Sequence, residues 1–329
     1  MTAKAIPTVV VDEGSSQIKA VWVQNSQLHT CMIKAKGEHR ALETSTGDIA
    51  DNVYCIDGTD ITAGNNVMNP VTTTSEHYQT SDINRALVHE VLRQAGFGGQ
   101  SINLIVTLPV DSFYNKDKRE QKKQHMMKPV INVNGLPLAS FNTVMVAPES
   151  VPALDSIVLN DNGLELPEYN GIRRVLIVDI GGTTTDITVV NSDNQVEQRK
   201  SERIGVFNIA NTLRELLQND AQINARSPND DTIDLTLRSG KFRNKTDVSE
   251  HIRNASRQIA GRLVSAMNAI QPDPDDVDFV IYVGGGAPLL ASILAGQYGG
   301  NTISHDNPEF AVAIGLMKNH LASQIEELV

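Results

Sequence analysis

Apolar and polar residues alternate along the chain in short, strand-length runs, and one such pattern occurs twice. VVVDEGSSQIKAVWV surrounds Asp12, and VLIVDIGGTTTDITVVN surrounds Asp179. In each copy an apolar run ends at an Asp, passes through Gly with Ser or Thr neighbours, and re-enters a second alternating strand, which predicts a β-hairpin. Their separation is too long for a solenoid period, so we expect two copies of one half-domain that face each other across a cleft.

The first half of the chain contains further strand and helix patterns. Residues 7–24 and 27–34 alternate as three strands with a turn at Asn25 and Ser26. The segment from Ser81 to Gln94 has a capping serine, an early acidic residue and apolar residues at helical spacing, so it predicts a helix. The other elements predicted here are a hairpin of 53–57 with 60–63, a strand in SINLIVTLPV, an exposed helix at 115–127, and a hairpin of 130–134 with 138–146 across Asn134 and Gly135.

The second half repeats this order after a polar, turn-rich segment at 160–172, which is the best place for a linker. The length of 329 residues suits two domains, and strands that alternate with helices in both halves predict an α/β fold. The predicted elements are strands at 174–180, 185–191 and 195–202, helices at about 206–218 and 248–270, the strand FVIYVGGGAP, a helix from Pro288 and a last helix from near Pro308.

Composition and charge restrict the class of protein. The longest apolar runs fall well short of the roughly 20 residues that a membrane-spanning helix needs, and the N-terminus has no signal-peptide pattern. Cys31 and Cys55 are too few for a disulfide framework and lack CxxC spacing, which favours a reducing cytoplasm. The net charge of −11 disfavours direct binding to nucleic-acid phosphates, so any connection to DNA would need an adaptor.

The first repeat has residue types suited to a polyphosphate. Gly14 lets the backbone approach a phosphate without a Cβ, and Ser15 and Ser16 supply N–H and hydroxyl donors. Asp12 would repel a polyphosphate at short range, so we expect it to hold water molecules of a hydrated Mg²⁺. The alternative is a tight hairpin turn in which Lys19 is a solvated side chain.

The other turns that contain glycine or a carboxylate are ambiguous by themselves. A Gly-Gly hairpin explains the second repeat, although three threonines behind two glycines exceed what a turn requires. Glu149, in APESVP, has the position of a residue that serves a helix N-terminus. The run from Gly284 to Gly286 fits any strand-to-helix turn and is not a GxGxxG fingerprint. The joint presence of both hairpins favours a nucleotide site.

Together these motifs resemble the actin-like ATPase superfamily, and within it the ParM/StbA group of bacterial plasmid-segregation proteins. DEGSSQIK, the VTLP strand, APESVP, VDIGGTTTDI and VGGGAPLL occur in the family's order and approximate spacing over nearly the whole chain. The resemblance implies an actin-like α/β fold of the actin, Hsp70 and hexokinase type, with two domains around a nucleotide cleft. We expect residues 1–170 with a C-terminal helix at 308–329 to form the first domain, and residues 171–307 the second.

The resemblance also implies roles for individual residues. Lys19 would reach the β-phosphate, Asp179 would join Asp12 in holding hydrated Mg²⁺, and Glu149 would orient the water that attacks the γ-phosphate. For Asp186 two roles are possible: it could cap its loop or form a salt bridge with it. The other nucleotide-binding residues implied are Gly14, Ser15 and Ser16 in the first phosphate loop, Gly181, Gly182, Thr183 and Thr184 in the second, and Gly205, Gly284, Gly285 and Gly286 on the side of the α-phosphate and adenosine.

By this resemblance we expect a cytoplasmic, plasmid-encoded bacterial ATPase that binds Mg²⁺ with ATP or ADP, with GTP as an alternative nucleotide. ATP binding would favour head-to-tail assembly, a contact between copies that does not close and therefore makes a filament. Hydrolysis would weaken the filament, and a DNA-binding adaptor of the ParR type would connect it to a centromere-like plasmid site. Direct contact with nucleic acid or membrane is not expected.

Other interpretations share parts of the pattern. A metabolic kinase of the same superfamily would have both hairpins and a catalytic carboxylate, but would transfer phosphate to a small acceptor. A chaperone of the Hsp70 type is disfavoured, because the chain ends shortly after the last predicted helix. The basic run 116–128 predicts a solvated helix face, with a filament or membrane contact as the alternative. Gly240 and Lys241 do not form a Walker A loop, because Phe242 replaces Ser or Thr.

Overall fold

The computed structural model of the chain describes residues 6–67, 69–75, 77–191, 195–223 and 225–326. The chain divides into two compact units. The first contains the residues up to Asn170 and those from Phe310 onward, and the second runs from Gly171 to Glu309. Each unit has its own hydrophobic core. No helix among the described residues is long and apolar enough to span a bilayer.

Among its described residues the first unit has nine strands, numbered here in chain order, of which five form its main sheet. The strands are β1 Thr8–Glu13, β2 Gln17–Gln24, β3 Gln27–Lys34, β4 Gly37–Glu38, β5 Val53–Ile56, β6 Thr59–Ala63, β7 Ser101–Leu108, β8 Ile131–Asn132 and β9 Ser140–Pro148. The main sheet has the order β3-β2-β1-β7-β9, and a smaller sheet has the order β4-β6-β5-β8. In the main sheet the first three strands are antiparallel, and β1, β7 and β9 are parallel.

Helices cover this sheet and connect its strands. They are α1 Asp82–Gln94, α2 Val110–Phe113, α3 Lys116–Met126 and α4 Asp155–Val158, with 3₁₀ turns at Tyr78–Thr80, Val151–Ala153 and Pro167–Tyr169. The Ser81 hydroxyl accepts a hydrogen bond from the Asn84 amide and caps α1, as its sequence predicts. The predicted strands of residues 7–34 and the hairpin around Asp57 and Gly58 are likewise confirmed.

Helix α3 is less exposed than the prediction of a solvated basic helix for residues 116–128. Asn115 caps it by accepting hydrogen bonds from the amides of the first turn. Lys122 is fully buried, and His125 and Met126 are almost so. Since these residues are three and four positions apart, they form one face of the helix that packs into the unit. The prediction is wrong for this face, whereas the charged residues on the other side are mostly exposed.

The predicted hairpin of residues 130–134 and 138–146 is wrong. The turn at Asn134 and Gly135 exists, but the Asn132 side chain accepts from the Asn134 amide and holds the chain in a local loop. Strand β8 pairs with β5 instead, and β9 pairs in parallel with β7. The reason is long-range: the buried strand β7 needs a partner on its second edge, and β9 supplies it while burying Val144.

The second unit repeats the sheet topology of the first. Its strands are β10 Arg174–Ile180, β11 Thr185–Asn191, β12 Val196–Glu202, β13 Lys241–Phe242, β14 Thr246–Asp247, β15 Phe279–Val283 and β16 Thr302–Ile303. The main sheet has the order β12-β11-β10-β15-β16. Again three antiparallel strands continue into a parallel set, here β10, β15 and β16. The internal repeat in the sequence is therefore a repeat of topology.

The helices of the second unit are α5 Val206–Asn219, α6 Asp230–Ser239, α7 Ser249–Ile270 and α8 Ala287–Tyr298, with 3₁₀ turns at Pro274–Asp276 and Pro308–Phe310. Helices α5, α7 and α8 agree with the predicted ones. Helix α6 and strands β13, β14 and β16 have no counterpart among the predicted elements. Gly240 ends α6 in the left-handed conformation, with φ of 72°, so the Gly-Lys pair is a helix C-terminus.

The last helix, α9 Ala311–Glu326, belongs to the first unit. It packs on β1 and β2, and the Lys318 ammonium donates to the carbonyl oxygens of Ser156 (2.9 Å) and Leu159 (2.7 Å). At Gly315 a Cβ would lie 1.7 Å from the Pro152 carbonyl oxygen. This close approach lets the helix lie directly on the segment that follows β9.

Candidate functional site

The carboxyl ends of β1, β7 and β9 meet at one edge of the first sheet because these strands are parallel and adjacent. Asp12 and Glu13 end β1, Thr107 lies near the end of β7, and Glu149 directly follows β9. Ligands of open α/β sheets bind outside this edge. Two predicted site residues, Asp12 and Glu149, are thus placed at the edge where such a site is expected.

In the first hairpin, Asp12 and Lys19 are directly opposite each other on β1 and β2. The Lys19 ammonium lies 2.9 Å from Asp12 Oδ2, and the two side chains are 10% and 9% exposed. The alternative of a solvated Lys19 is therefore wrong. A carboxylate and an ammonium so far from bulk water attract each other more strongly than an exposed pair does.

Thr107 orients the other oxygen of this carboxylate. Its hydroxyl donates to Asp12 Oδ1 (3.2 Å) and accepts from the backbone amide of Glu13 (3.2 Å). Thr107 is completely buried. Asp12 is consequently held from two sides, by a cation on β2 and by a hydroxyl on β7.

The turn of this hairpin consists of Gly14, Ser15 and Ser16. At Gly14 a Cβ would lie 3.0 Å from the Gln17 carbonyl oxygen, so the tight turn favours glycine. The Ser15 carbonyl accepts from the hydroxyl of Thr73 at 2.5 Å, and Ser16 is exposed. The turn is therefore supported by the segment before α1 while part of it faces solvent.

The Glu149 backbone forms a strained turn. Its carbonyl accepts from the Val151 amide at 2.9 Å, across Ser150 with φ of 69° and ψ of −65°. This is the rare strained form of the γ-turn, and Ser150 is completely buried. Only a three-residue 3₁₀ turn and the four-residue α4 follow, so a charge–dipole role for Glu149 has little helix to act on. Backbone strain of this kind is concentrated at functional sites.

The second hairpin has the same form with different chemistry. Asp179 on β10 is directly opposite Asp186 on β11, where the first hairpin has an Asp and a Lys. The turn between them closes through a hydrogen bond from the Gly181 amide to the Thr184 carbonyl (2.8 Å). Gly182 and Thr183 form the tip and are partly exposed.

Gly205 lies against the back of this second turn. A Cβ on it would lie 2.7 Å from the carbonyl oxygens of both Gly181 and Gly182. The first amides of α5, from Val206 and Phe207, donate to the same two carbonyls at 3.1 and 2.8 Å. The N-terminus of α5 therefore fixes the turn, and only a residue without a side chain allows the approach.

The glycine turn after β15 contacts Asp179 in the same way. Gly284 has φ of 84°, and a Cβ there would lie 2.4 Å from Asp179 Oδ1. The Gly286 amide donates to the Ile180 carbonyl at 2.8 Å, and its own Cβ would meet the Ile180 side chain. Gly285 is exposed between them. In the second unit the structure thus brings Asp179, Gly205 and the 284–286 turn together around one hairpin.

These arrangements fit a nucleotide with hydrated Mg²⁺. Each unit offers a carboxylate at a strand end and a turn in which glycine allows close approach of a phosphate. No group of three or more His, Cys, Asp or Glu side chains suited to a metal ion occurs among the residues described. A metal held through water needs fewer protein ligands than one bound directly.

Four residues at or behind the edge of the first sheet are not predicted from the sequence: Glu13, Thr107, Lys122 and Ser150. Glu13 lies inside the DEGSSQIK motif, but the resemblance assigns a role in metal binding to its neighbour Asp12 and none to Glu13. Thr107 lies in the VTLP strand, where a β-branched residue needs no further explanation. Lys122 is one of several lysines in a basic run, so no local signal distinguishes it from its exposed neighbours.

Two family models match this chain in succession. The N-terminal model of plasmid segregation protein ParM matches residues 8–159, and the C-terminal model of the archaeal actin homologue MreB-like matches residues 177–296. No curated protein matches the sequence.

Solved structures share the fold at low sequence identity. A structure of an archaeal actin homologue is 19% identical, with a TM-score of 0.75, 97% of this chain and 100% of that chain being covered. A ParM filament structure from Clostridium botulinum is 18% identical, with a TM-score of 0.72 and coverage of 98% and 100%. The archaeal homologue in complex with ADP is 18% identical, with a TM-score of 0.75 and coverage of 97% and 100%.

The repeated sheet topology and these matches define an actin-like fold, as the sequence predicts. The chain has an N-terminal domain of the ParM/StbA type and a C-terminal domain of the MreB-like type. The predictions of fold class and family are both confirmed.

Proposed function

We propose that this protein is an ATPase that assembles into filaments when it binds Mg²⁺-ATP and hydrolyses ATP to drive plasmid partition. The observation that carries the proposal is the pair of hairpins with the same topology, each with an aspartate at the strand end and a glycine-containing turn. The matches to the ParM and MreB-like models support it, as do the similar structures, which include a ParM filament and an archaeal actin homologue in complex with ADP.

In this proposal the turns Gly14–Ser16 and 181–184 bind the phosphates, and Gly205 with Gly284–Gly286 accommodates the α-phosphate and adenosine. Asp12 and Asp179 hold hydrated Mg²⁺, which neutralises charge on the phosphates during transfer to water. The rest of the reaction depends on positioning by the protein.

Lys19 can serve both Asp12 and a phosphate. An ammonium has three N–H donors, and one of them accounts for the 2.9 Å contact with Asp12. A phosphate near the turn would be a further, negatively charged acceptor for this ammonium. The same lysine would then connect the metal-side carboxylate with the nucleotide.

Glu149 orients the attacking water in this proposal. Its carboxylate follows β9 at the edge shared with Asp12, and the strained turn at Ser150 fixes the direction of its backbone. A general base or water-orienting group must be an acceptor within hydrogen-bond reach of the water. Glu149 is the residue of this edge that we assign to that role.

Assembly would be head-to-tail, with copies of the chain as the principal partner and a ParR-type DNA-binding adaptor as the connection to plasmid DNA. The net charge of −11 supports an adaptor rather than direct contact with nucleic acid. We place the protein in the bacterial cytoplasm, where ATP is available.

Sedimentation with phosphate-release measurements tests the proposal. The protein is expected to pellet with Mg²⁺-ATP or a non-hydrolysable analogue and to stay in the supernatant without nucleotide. ADP formation that requires a small-molecule acceptor, without pelleting, would instead indicate a kinase. Failure to pellet over a broad range of protein and salt concentrations, with nucleotide binding demonstrated, would contradict the filament.

The substitution Glu149→Gln tests the hydrolytic role in the same assays. Loss of the carboxylate should slow phosphate release by about 10²–10⁴-fold, the usual contribution of a positioned acid–base group. ATP binding and pelleting should persist, and the filaments should last longer because they retain ATP. Glu168→Gln, at an exposed residue, is the matched control. Near-normal phosphate release in a folded Glu149→Gln protein would rule out the assignment.

A further inference from the structure

A buried ion pair lies directly behind the first hairpin. The Lys122 ammonium of α3 lies 2.6 Å from Glu13 Oε1, and both side chains are completely buried. Burial raises the pKa of Glu13 and lowers that of Lys122, while the contact between the two charges opposes both shifts. Glu13 is the residue next to Asp12 on β1.

The Lys122 ammonium has more partners than its contact with Glu13. It donates to the carbonyl and side-chain oxygens of Gln79 at 2.8 and 3.1 Å, and to Asn84 Oδ1 at 2.8 Å. Four acceptors around one nitrogen suit an ammonium, which has three donors, and not a neutral amine. One side chain therefore ties α3, the 3₁₀ turn before α1 and α1 itself to the hairpin.

This network continues to Asp12 through Thr107. The Thr107 amide donates to Glu13 Oε2 at 3.0 Å, and the Thr107 hydroxyl donates to Asp12 Oδ1 at 3.2 Å. The Glu13 amide donates in turn to the Thr107 hydroxyl. The Glu13 carboxylate thus helps to hold Thr107, and Thr107 together with Lys19 orients Asp12.

Glu149 is within electrostatic range of the same ammonium. After burial and the Glu13 contact, the charge of Glu149 is a further influence on the pKa of Lys122. Burial also raises the pKa of the neighbouring Tyr78, and the charges of Glu13, Glu149 and Asp12 act in the same direction. Lys122 is therefore a buried positive charge among the carboxylates of this edge.

We propose that Lys122 is a positioning residue for the phosphoryl-transfer reaction, acting on Asp12 through Glu13 and Thr107. The inference rests on the proposed ATPase function. Stability alone does not account for the pair, since a buried ion pair is often no more stabilising than apolar residues of similar volume. A basic residue on a helix remote in sequence would thus set the geometry of the first hairpin.

The test compares three variants with the parent: Lys122→Met, the double variant Glu13→Leu with Lys122→Met, and the exposed control Lys123→Met. Lys122→Met leaves a carboxylate buried without its cation, so it should lower the unfolding midpoint. The double variant removes both charges and should recover the midpoint. Its phosphate release should nevertheless stay about 10–100-fold below the parent, the usual effect of losing a residue that orients a site. ATP binding should change by less than about threefold, and Lys123→Met should match the parent in each assay.

The role of Lys122 is decided by comparing the unfolding midpoint of the double variant with its rate of phosphate release. A double variant that is stable and releases phosphate at the parental rate shows that the pair is only structural and overturns the inference. If the parent itself neither binds nor hydrolyses ATP, the proposed function fails and this inference fails with it. The two failures are distinguished by the parental rate in the same assay.

Thr107 provides a second, milder test that does not disturb the ion pair. Thr107→Val removes the hydroxyl that contacts Asp12, whereas Thr107→Ser retains it. Phosphate release should fall by about tenfold in the valine variant and be largely restored in the serine variant. Equal rates in the two folded variants would contradict a path from Lys122 to Asp12 through Thr107.

Discussion

In the first hairpin, a lysine and a threonine contact the aspartate at the end of the strand, whereas in the second hairpin a glycine turn packs against the aspartate. Asp12 is 2.9 Å from the Lys19 ammonium and accepts from the Thr107 hydroxyl. Asp179 is directly opposite another aspartate, Asp186, and lies against Gly284, where a Cβ would be 2.4 Å from its Oδ1. One strand topology therefore supports two different ways of holding a carboxylate.

The difference predicts different responses to a ligand. A carboxylate held by an ammonium exchanges part of that contact when a phosphate arrives, because both anions attract the same cation. A carboxylate with a glycine turn packed against one side of it has less room to move on that side. We therefore expect the Asp12–Lys19 contact of the first hairpin to change when a charged nucleotide binds. We expect the second hairpin to bind the nucleotide with little change in its own structure.

The largest effect is expected from Gly284→Ala in the second hairpin. The new Cβ would lie 2.5 Å from the Ile180 carbonyl oxygen as well as against Asp179, and φ is 84°. Strain and displacement of the turn should lower the free energy of unfolding of the second unit by about 3 kcal/mol or more. Calorimetry should show this loss, and nucleotide binding should be abolished.

Gly261→Ala is the matched control for this substitution. Gly261 lies in α7, and a Cβ there would meet nothing within 4 Å. Alanine in a helix interior should stabilise the unit by about 0.5–1 kcal/mol. If both variants had the parental stability and affinity, close packing of the glycine turn would not hold Asp179.

Both hairpins could be predicted from the sequence because the residues that specify each hairpin are close together in the chain. An apolar run, a carboxylate and a glycine turn specify the strands, and Asn25 and Ser26, both at positive φ, specify the next tight turn. Likewise, Ser81 could be predicted to cap α1 because it directly precedes that helix in the sequence. The family motifs extended this prediction to the fold.

The parts that could not be predicted depend on residues far apart in the chain. Strand β9 pairs in parallel with β7 because one edge of the buried strand β7 is open. No turn residue in the sequence specifies this pairing. Lys122 is buried because Glu13, more than a hundred residues earlier, accepts its charge. The neighbouring Lys123 has the same sequence context and is exposed. The roles proposed for the site residues remain predictions.

Lys19→Met should have the next largest effect and act on the first unit. It leaves Asp12 nearly buried with the Thr107 hydroxyl but without its cation, which should cost about 2–3 kcal/mol of stability. Adding Asp12→Asn should recover part of this loss, because the uncompensated charge is removed. Trp22, the single tryptophan, packs on Phe97 in the first unit, so its fluorescence can follow unfolding.

The pair Lys200 and Glu202 on β12 is the control for Lys19→Met. The two charges are 2.7 Å apart, but their side chains are 43% and 26% exposed. Lys200→Met should change stability by less than about 0.5 kcal/mol, as for other exposed ion pairs. A loss as large as that of Lys19→Met would show that burial does not explain the difference.

The smallest effect concerns pH and again the first unit. Burial lowers the pKa of His89 to about 4, and the positive charge of Arg85 adds to the shift. The unfolded chain takes up this proton near the ordinary pKa of 6.5, and the folded chain does so only near 4. The stabilising effect of the neutral ring is therefore complete above pH 6.5 and is lost as the pH falls towards 4.

His89→Leu should remove this part of the acid sensitivity. Between pH 7 and pH 5 the parent should lose about 2 kcal/mol more of its unfolding free energy than the variant, whatever their stabilities at pH 7. His125 remains in the variant; burial, with Arg85, also lowers its pKa to about 4, so some acid sensitivity should persist. Denaturant unfolding followed by Trp22 fluorescence measures the difference, and between pH 7 and pH 8 the two proteins should change in parallel. Equal losses at pH 5 would show that His89 is not held neutral in the folded protein.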